Sequence, residues 1–168
     1  TVYQFSELSD TAKESARDWY RQNALDYEWW EFAIEDAKNV GRILGIEIDE
    51  VYFSGFSSQG DGAQFVGSYS YAKGSSKAIR VECPGDTVLY GIASALTEIQ
   101  RRAFYQLEAT VQTTGRYSHE YATAIDVTRF DSDVAESTVV DLSDTLRDFM
   151  RWTYRMLESE HEYLNSNE

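Results

Sequence analysis

The sequence predicts an α+β fold: an antiparallel sheet of about four strands, built from two hairpins, packs against helices and is followed by an acidic C-terminal helix. Apolar residues recur every three or four positions over residues 1–45 and 87–103, which is the period of amphipathic helices. They recur every second position within residues 51–71 and 105–128, which is the period of strands with one buried face. Both alternating stretches contain a polar turn, so each predicts an antiparallel hairpin.

Length and composition indicate one folded domain, residues 1–168. The chain of 168 residues is 42% hydrophobic and 14% aromatic, which is enough apolar surface for a single core. No linker, internal repeat or low-complexity segment divides it. The single cysteine, Cys83, excludes an intramolecular disulfide and fits a reducing compartment. Since no apolar run is long enough to span a bilayer and the first residues lack the features of a signal peptide, we expect a soluble, intracellular protein.

Two helices are predicted before the first hairpin. Ser9 supplies an oxygen that caps free backbone amides, so the first helix begins at Asp10 and continues to about Asn23. A second helix begins after Asp26, carries one apolar stripe and ends at Gly45.

The first hairpin joins a strand that begins at Val51 to a second strand at residues 63–71. Gly55 and Gly67 fall inside these strands, where glycine typically marks a β-bulge or the close approach of another group to the backbone. The glycine, the serines and the proline of residues 73–84 predict a loop, with at most a short strand at 78–81.

The second half of the chain repeats the order of helix and hairpin. Asp86 or Thr87 caps the third helix, and strands are expected at residues 105–113 and 120–128, joined by a turn at 114–118. The buried side of the third helix is expected to consist of Leu89, Ile92, Ala93, Leu96 and Ile99.

The last helix, expected from about Ser137 or Ser143 to Leu164, lies in an acidic segment. Residues 131–168 contain ten acidic residues and three arginines, and so carry half of the net charge of −14. The excess of 29 acidic over 15 basic residues argues against direct binding to nucleic acid, whose phosphates require a basic surface. It favours a partner with a basic surface, such as a nucleic-acid-binding protein that an acidic mimic blocks. Solubility and adaptation to high salt are alternative explanations of the acidity.

Few residues suit catalysis or metal binding. His119 sits beside an aromatic turn, whereas His161 is flanked by Glu160 and Glu162 and is expected to be solvated. Cys83 is expected to be a small buried thiol. The sequence contains no nucleophile elbow, phosphate loop, dinucleotide fingerprint, HExxH motif or EF-hand spacing. We therefore predict no catalytic residue, no bound metal and no cofactor.

The loop between the first two strands is the most distinctive candidate binding site. Its backbone amides beside Ser57, Ser58 and Gln59 could cradle an anion or a nucleotide. Asp61 would repel a phosphate, however, and ordinary turn chemistry accounts for glycines around an aspartate. Both a ligand loop and a simple turn remain open.

The two hairpin turns are expected to form one functional edge. If the hairpins pair side by side, residues 59–62 form an exposed loop close to Tyr117 and His119. Replacing Asp61 with alanine would then weaken activity and leave the melting temperature nearly unchanged. A large loss of stability would instead assign Asp61 to the turn.

Three segments resemble a small family of proteins encoded by tailed bacteriophages and prophages. They are VYQFSELSDTAKESARDWYRQ at residues 2–22, the stretch from Tyr27 to Tyr71 that contains SGFSSQGDGAQFVG, and QRRAFYQLEATVQTTGRYSHEY at residues 100–121. The resemblance covers residues 2 to about 128 and not the acidic end of the chain. Some members carry an antitoxin-like label. The resemblance implies a phage or mobile-element context and assigns no catalytic residues.

The combined expectation is a phage-encoded accessory protein that binds a host protein stoichiometrically and inhibits a bacterial defence system, of the anti-CRISPR or anti-restriction type. An antitoxin-like regulator is the first alternative, and a small nucleotide-binding protein or enzyme that uses the 57–62 loop is the second. The expected partner is a basic host protein in the bacterial cytoplasm rather than nucleic acid or a membrane, and a homodimer is compatible with the sequence. The acidic residues expected to bind it are Asp141, Asp144, Asp148, Glu158, Glu160 and Glu162.

Overall fold

The computed structural model describes residues 9–26 and 28–166, except for the side chains of residues 20–26. The elements in chain order are α1 (Asp10–Asp26), α2 (Glu31–Leu44), β1 (Ile46–Phe53), β2 (Ala63–Ser70), α3 (Ser75–Glu82), α4 (Thr87–Arg102), β3 (Leu107–Thr113), β4 (Thr123–Arg129) and α5 (Glu136–Asn165). The four strands form one sheet in the order β1-β2-β3-β4, and every neighbouring pair is antiparallel. The predicted α+β class, the two hairpins and the C-terminal helix are confirmed.

Gly45 connects α2 directly to the sheet. It adopts the left-handed conformation with a φ of 89° and donates its N–H to the carbonyls of Arg42 and Gly41, which ends the helix as predicted. A side chain at this position would collide with the carbonyl oxygen of Ser70. β1 then begins at Ile46, which pairs with Tyr69, so the strand starts earlier than the expected Val51.

A β-bulge lies in β1 where Gly67 faces it from β2. The register shifts between Ile48 and Glu50, which leaves Asp49 as the extra residue. A Cβ atom on Gly67 would collide with the carbonyl oxygen of Glu47, so only glycine fits there. Gly67 therefore has the role that the sequence predicts, whereas Gly55 follows the end of β1 and lies in no strand.

The expectation of a loop with a short strand at 78–81 is wrong, because Ser75–Glu82 forms α3. Gly74, with a φ of 78°, turns the chain into the helix. Ser75 and Ile79 are buried at a spacing of four while Val81 is exposed, which is a helical and not a strand pattern. The glycine and serine content of the segment conceals this short amphipathic stretch.

The core lies between the helices and one face of the sheet. The Asp86 carboxylate accepts a hydrogen bond of 3.0 Å from the Leu89 amide and caps α4, and the five apolar residues predicted for its inner side are all buried.

The Gln100 side chain, for which the sequence predicted no role, is fully buried and connects α4 to β3. It donates to the Leu107 carbonyl at 2.8 Å and accepts from the Leu107 amide at 3.0 Å. α5 adds Leu142, Leu146, Phe149 and Met150 to the core.

Candidate functional site

The two hairpin loops, residues 54–62 and 114–122, lie side by side at one end of the sheet and are called the loop edge here. An antiparallel meander of four strands places both hairpin ends at the same end. Ser54 Oγ donates to the Ser118 carbonyl at 3.3 Å, and Gln64 Nε2 donates to the Tyr117 carbonyl at 3.2 Å. These bonds, together with the contact of Gly62 with His119, bring the 59–62 loop close to Tyr117 and His119, as predicted.

Gly62 packs against the second hairpin loop and has no room for a side chain. A Cβ atom there would lie 2.9 Å from His119 Cδ2 and 3.1 Å from Glu120 Oε2. Gly62 is buried and Asp61 is half-buried, whereas Gln59 and Gly60 are exposed. The prediction that residues 59–62 are exposed as a whole is wrong, because the return of the loop packs against the second hairpin.

The Asp61 carboxylate stabilises the first hairpin loop by accepting hydrogen bonds from the loop's own backbone. Its Oδ2 atom accepts hydrogen bonds from the amides of Ser58 at 2.8 Å and Ser57 at 3.0 Å. These bonds, the one from Ser58 first, lower the pKa of the Asp61 carboxyl below its ordinary value of 3.8. The amides considered for an anion are thus occupied by the protein's own carboxylate, which favours the turn over the nucleotide-binding loop.

Glu120 anchors the loop edge to α5, although it was not among the predicted site residues. Its side chain is 11% exposed, and its Oε1 atom accepts from Arg151 Nε at 3.0 Å while Oε2 lies 3.4 Å from His119 Nε2. Its backbone carbonyl accepts from Arg147 Nε at 3.2 Å. The spacing of four between the two arginines is the sequence signal for this anchor, since it puts both side chains on one helix face.

The six acidic residues predicted on α5 do not form one uniform surface. Asp141 pairs with Arg102 at 2.9 Å, Asp144 with Arg147 at 3.7 Å, and Asp148 with Arg151. The first three carboxylates are therefore compensated by arginines.

The other three carboxylates lie near the end of α5. Glu158 and Glu162 are one helical turn apart on one side and line a cavity. Glu160 lies between them in sequence, and therefore on a different side of the helix. It does not line the cavity.

That cavity, of about 640 Å³, is called the aromatic pocket here and lies between the first hairpin loop and the end of α5. Its lining residues are Trp29, Phe53, Ser54, Gly55, Phe56, Ser57, Glu158, His161 and Glu162. The His161 ring lies 5.4 Å from the Trp29 ring and 4.9 Å from the Phe56 ring, measured between centroids. His161 is therefore half-buried against the rings of Trp29, which precedes α2, and Phe56, which follows β1, and is not simply solvated as expected.

A second cavity, of about 490 Å³, lies between α2, the end of α3 and α5 and contains Cys83. Burial raises the pKa of the Cys83 thiol above its ordinary value of 9.0, and the carboxylates of Asp86, Glu82 and Asp36 raise it further. A thiol that holds its proton this firmly is a poor nucleophile. This cavity gives no support to nucleophilic catalysis by Cys83.

The outer face of the sheet is exposed and polar. Glu47 on β1, Glu108 on β3 and Asp126 on β4 all point away from the helices, as the alternating burial of each strand shows. The exposed strand positions include no lysine or arginine. Negative charge is thus spread over the sheet as well as α5.

Within 9–26 and 28–166, no helix combines the length and the apolarity that crossing a membrane requires. Within the same ranges, no group of three or more histidine, cysteine, aspartate or glutamate side chains is arranged to hold a metal ion.

Comparison with known proteins gives one match. The model of a family described as a domain of unknown function, DUF8835, matches residues 29–167. This range includes the sheet, the loop edge, the aromatic pocket and α5. No curated protein and no solved structure matches the chain.

Proposed function

The chain belongs to the family of DUF8835 domains, and from the geometry of its site we propose that it is a binding protein that associates stoichiometrically with a basic protein surface. The contact is made by the loop edge and the acidic end of α5. In the setting that the sequence resemblance implies, the protein is encoded by a phage or mobile element and acts in the bacterial cytoplasm. Its target there is a nucleic-acid-binding component of a defence system.

The observation that carries this proposal is the contrast between the two ends of α5. Asp141, Asp144 and Asp148 each have an arginine partner. Among the residues that the structure describes, no cation is paired with Glu158 or Glu162, although both line the aromatic pocket. Carboxylates without a partner beside aromatic rings are suited to a cationic protein surface, since the charges steer association and the rings supply contact area.

The alternative of a nucleotide-binding protein or enzyme has less support. The amides of Ser57 and Ser58 are bonded to Asp61, and a second carboxylate, Glu120, lies 3.1 Å from the Cβ position of Gly62. Both carboxylates disfavour a phosphate at this loop. An antitoxin-like regulator that binds a basic toxin would use the same contact, so only the identity of the partner separates this role from the anti-defence role.

The test is affinity capture with the purified protein from a lysate of a bacterial host, followed by mass spectrometry and by reconstitution with the purified partner. We expect a basic, nucleic-acid-binding defence protein in a complex of fixed stoichiometry whose affinity falls as salt rises. A toxin as the partner would support the antitoxin-like role instead. A purely metabolic or cytoskeletal complex would contradict both.

A further inference from the structure

The aromatic pocket has a wall of rings that the rest of the fold holds in place. Trp29 packs against Phe53 and Phe56 with centroid distances of 5.9 Å and 6.1 Å, and Phe56 packs against Tyr154 at 5.3 Å. The Tyr154 hydroxyl donates to the Gly55 carbonyl at 3.1 Å and ties the loop to α5. The rings are half-buried rather than covered, so part of their surface remains accessible from the pocket.

The carboxylates complete the pocket on the α5 side. Glu158 and Glu162 are spaced by four residues and therefore project from the same side of the helix. Both line the same cavity as Trp29 and Phe56. The pocket thus combines electron-rich rings, part of whose surface the His161 ring covers, with two negative charges, and this combination recognises an organic cation.

The arrangement of aromatic rings and two carboxylates in this pocket favours a guanidinium group over an ammonium group. A guanidinium is planar, stacks on aromatic rings and can donate to two carboxylates at once. An ammonium is a compact, strongly hydrated charge that gains less from ring faces. An uncharged apolar side chain would leave both carboxylates facing a desolvated surface without compensation.

We propose that the aromatic pocket binds the guanidinium group of an arginine side chain presented by a basic protein partner. The surfaces of Trp29 and Phe56 that the His161 ring leaves uncovered contact the guanidinium plane, and Glu158 and Glu162 accept its N–H groups. The choice of a protein as the source of the arginine rests on the proposed function, whereas the recognition of a guanidinium rests on the pocket alone.

The experiment titrates the isotope-labelled full chain with N-acetyl-L-arginine methylamide and follows its amide and indole NMR signals. We expect saturable shifts confined to Trp29, residues 53–57 and the end of α5, with a dissociation constant of about 1 mM, since a single side chain has few contacts. Nα-acetyl-L-lysine methylamide, whose side chain is a free ammonium group, is expected to bind at least about threefold more weakly than the arginine compound. The norleucine analogue is expected to cause no saturable shift. An equal response to lysine or norleucine, or shifts outside the pocket only, would overturn the proposal.

Two variants distinguish binding in the aromatic pocket from a general effect of the protein's negative charge. The double variant Glu158→Gln, Glu162→Gln is expected to weaken arginine binding about tenfold, as loss of hydrogen bonds to charged groups does. Glu160→Gln removes the same kind of charge from the same helix outside the pocket and is expected to leave binding unchanged. Equal weakening by both would show that net charge, and not the pocket, is responsible. Each variant's amide spectrum verifies that the fold is retained.

The proposed contact with a protein partner and the proposed guanidinium site are contradicted by different results. If N-acetyl-L-arginine methylamide binds the pocket but the double variant captures its protein partner as well as the unaltered protein does, the proposed contact with that partner is wrong and the guanidinium site stands. If capture is lost in the double variant while N-acetyl-L-arginine methylamide does not bind, the guanidinium assignment is wrong and the acidic contact stands.

Discussion

Glu120 and Arg151 form an ion pair with 3.0 Å between Oε1 and Nε, and this pair joins the second hairpin loop to α5. Arg151 also donates to the Tyr121 hydroxyl at 2.9 Å and pairs with Asp148, so one side chain contacts both elements. Burial alone would lower the pKa of the Arg151 guanidinium, but the hydrogen bond that it donates to the Glu120 carboxylate raises this pKa above its ordinary value. The loop edge is therefore positioned by α5 as well as by the sheet.

Breaking this pair is expected to destabilise the fold. Glu120→Gln removes the negative charge from the most buried partner of Arg151, and we expect the free energy of unfolding to fall by about 1–3 kcal/mol. Urea denaturation at neutral pH measures the change. The control is Glu98→Gln, which breaks the exposed pair between Glu98 and Arg101 and is expected to change stability little. Equal effects of the two variants would contradict an anchoring role for Glu120.

Asp61 is expected to stabilise its loop, contrary to the sequence-based prediction that Asp61→Ala leaves the melting temperature nearly unchanged. Because the folded pKa of Asp61 lies below the unfolded value of 3.8, its contribution is fully present above that value and is lost as the pH falls through the folded pKa. The melting temperature of Asp61→Ala should therefore lie below that of the unaltered protein at pH 7. The difference should shrink at acid pH. A difference that does not depend on pH would contradict this role for the carboxylate.

Gly67 is expected to tolerate no side chain. Gly67→Ala places a methyl group against the Glu47 carbonyl, and since both partners are backbone in paired strands, we expect a loss of about 3 kcal/mol or failure to fold. The matched control is Gly91→Ala in the exposed part of α4, where nothing lies within 4 Å of the new atom. That variant should gain about 0.5–1 kcal/mol. Thermal and urea denaturation of both proteins measure the contrast.

Tyr69 is expected to make the fold sensitive to alkaline pH. Burial raises the pKa of its phenol from 10.0 to about 12, so the unfolded chain ionises first as the pH rises. The stability due to the protonated phenol is present below pH 10 and is lost between pH 10 and 12, by about 2–3 kcal/mol. Comparison with Tyr69→Phe at pH 8 and pH 12 isolates this effect. If the difference in unfolding free energy between the two proteins is the same at both pH values, the phenol is not the cause.

The acidic residues of α5 are expected to divide into two groups in partner binding. Gln replacements at Glu158 and Glu162 should slow association with the partner and reduce the dependence of the association rate on salt. Replacements at Asp141 and Asp144 should have a smaller effect, because arginines already compensate these charges. Association rates at low and high salt, measured with the captured partner, test the difference. If neither set changes the rate, the acidity of α5 serves solubility alone.

The sequence predicted much of the fold because most elements obey local rules. The apolar periods of α2 and α4, the ends set by Gly45 and Asp86, and the alternation in both hairpins depend on neighbouring residues only. α3 was missed because its eight residues offer little more than Ser75 and Ile79 as a buried pattern, and glycine and serine next to them resemble a loop. The start of β1 was missed because a helix that passes directly into a strand has no turn sequence between them.

The candidate site was predicted in part. The proximity of the 59–62 loop to Tyr117 and His119 follows from pairing two hairpins side by side, so the sequence pattern alone predicts it. The role of Glu120 and the existence of the aromatic pocket could not be predicted from the sequence. They require α5 to cross the end of the sheet, which brings residues such as Phe56 and His161 together over a long sequence separation.

The sequence by itself determined the fold class, the order of most elements and the excess of negative charge, since composition and periodicity are properties of the chain alone. Only the tertiary structure decided which carboxylates have partners on other elements and which border a cavity. Asp148 is compensated and Glu162 is not, although both are exposed acids on the same helix, because Arg151 lies one turn from Asp148 while Glu162 borders the aromatic pocket. The pairs of Asp144 and Asp148 lie within α5, whereas Asp141 pairs with Arg102 of α4 and Glu120 pairs with Arg151 across a long sequence separation, so only the packing of α5 sets the distances in these last two pairs.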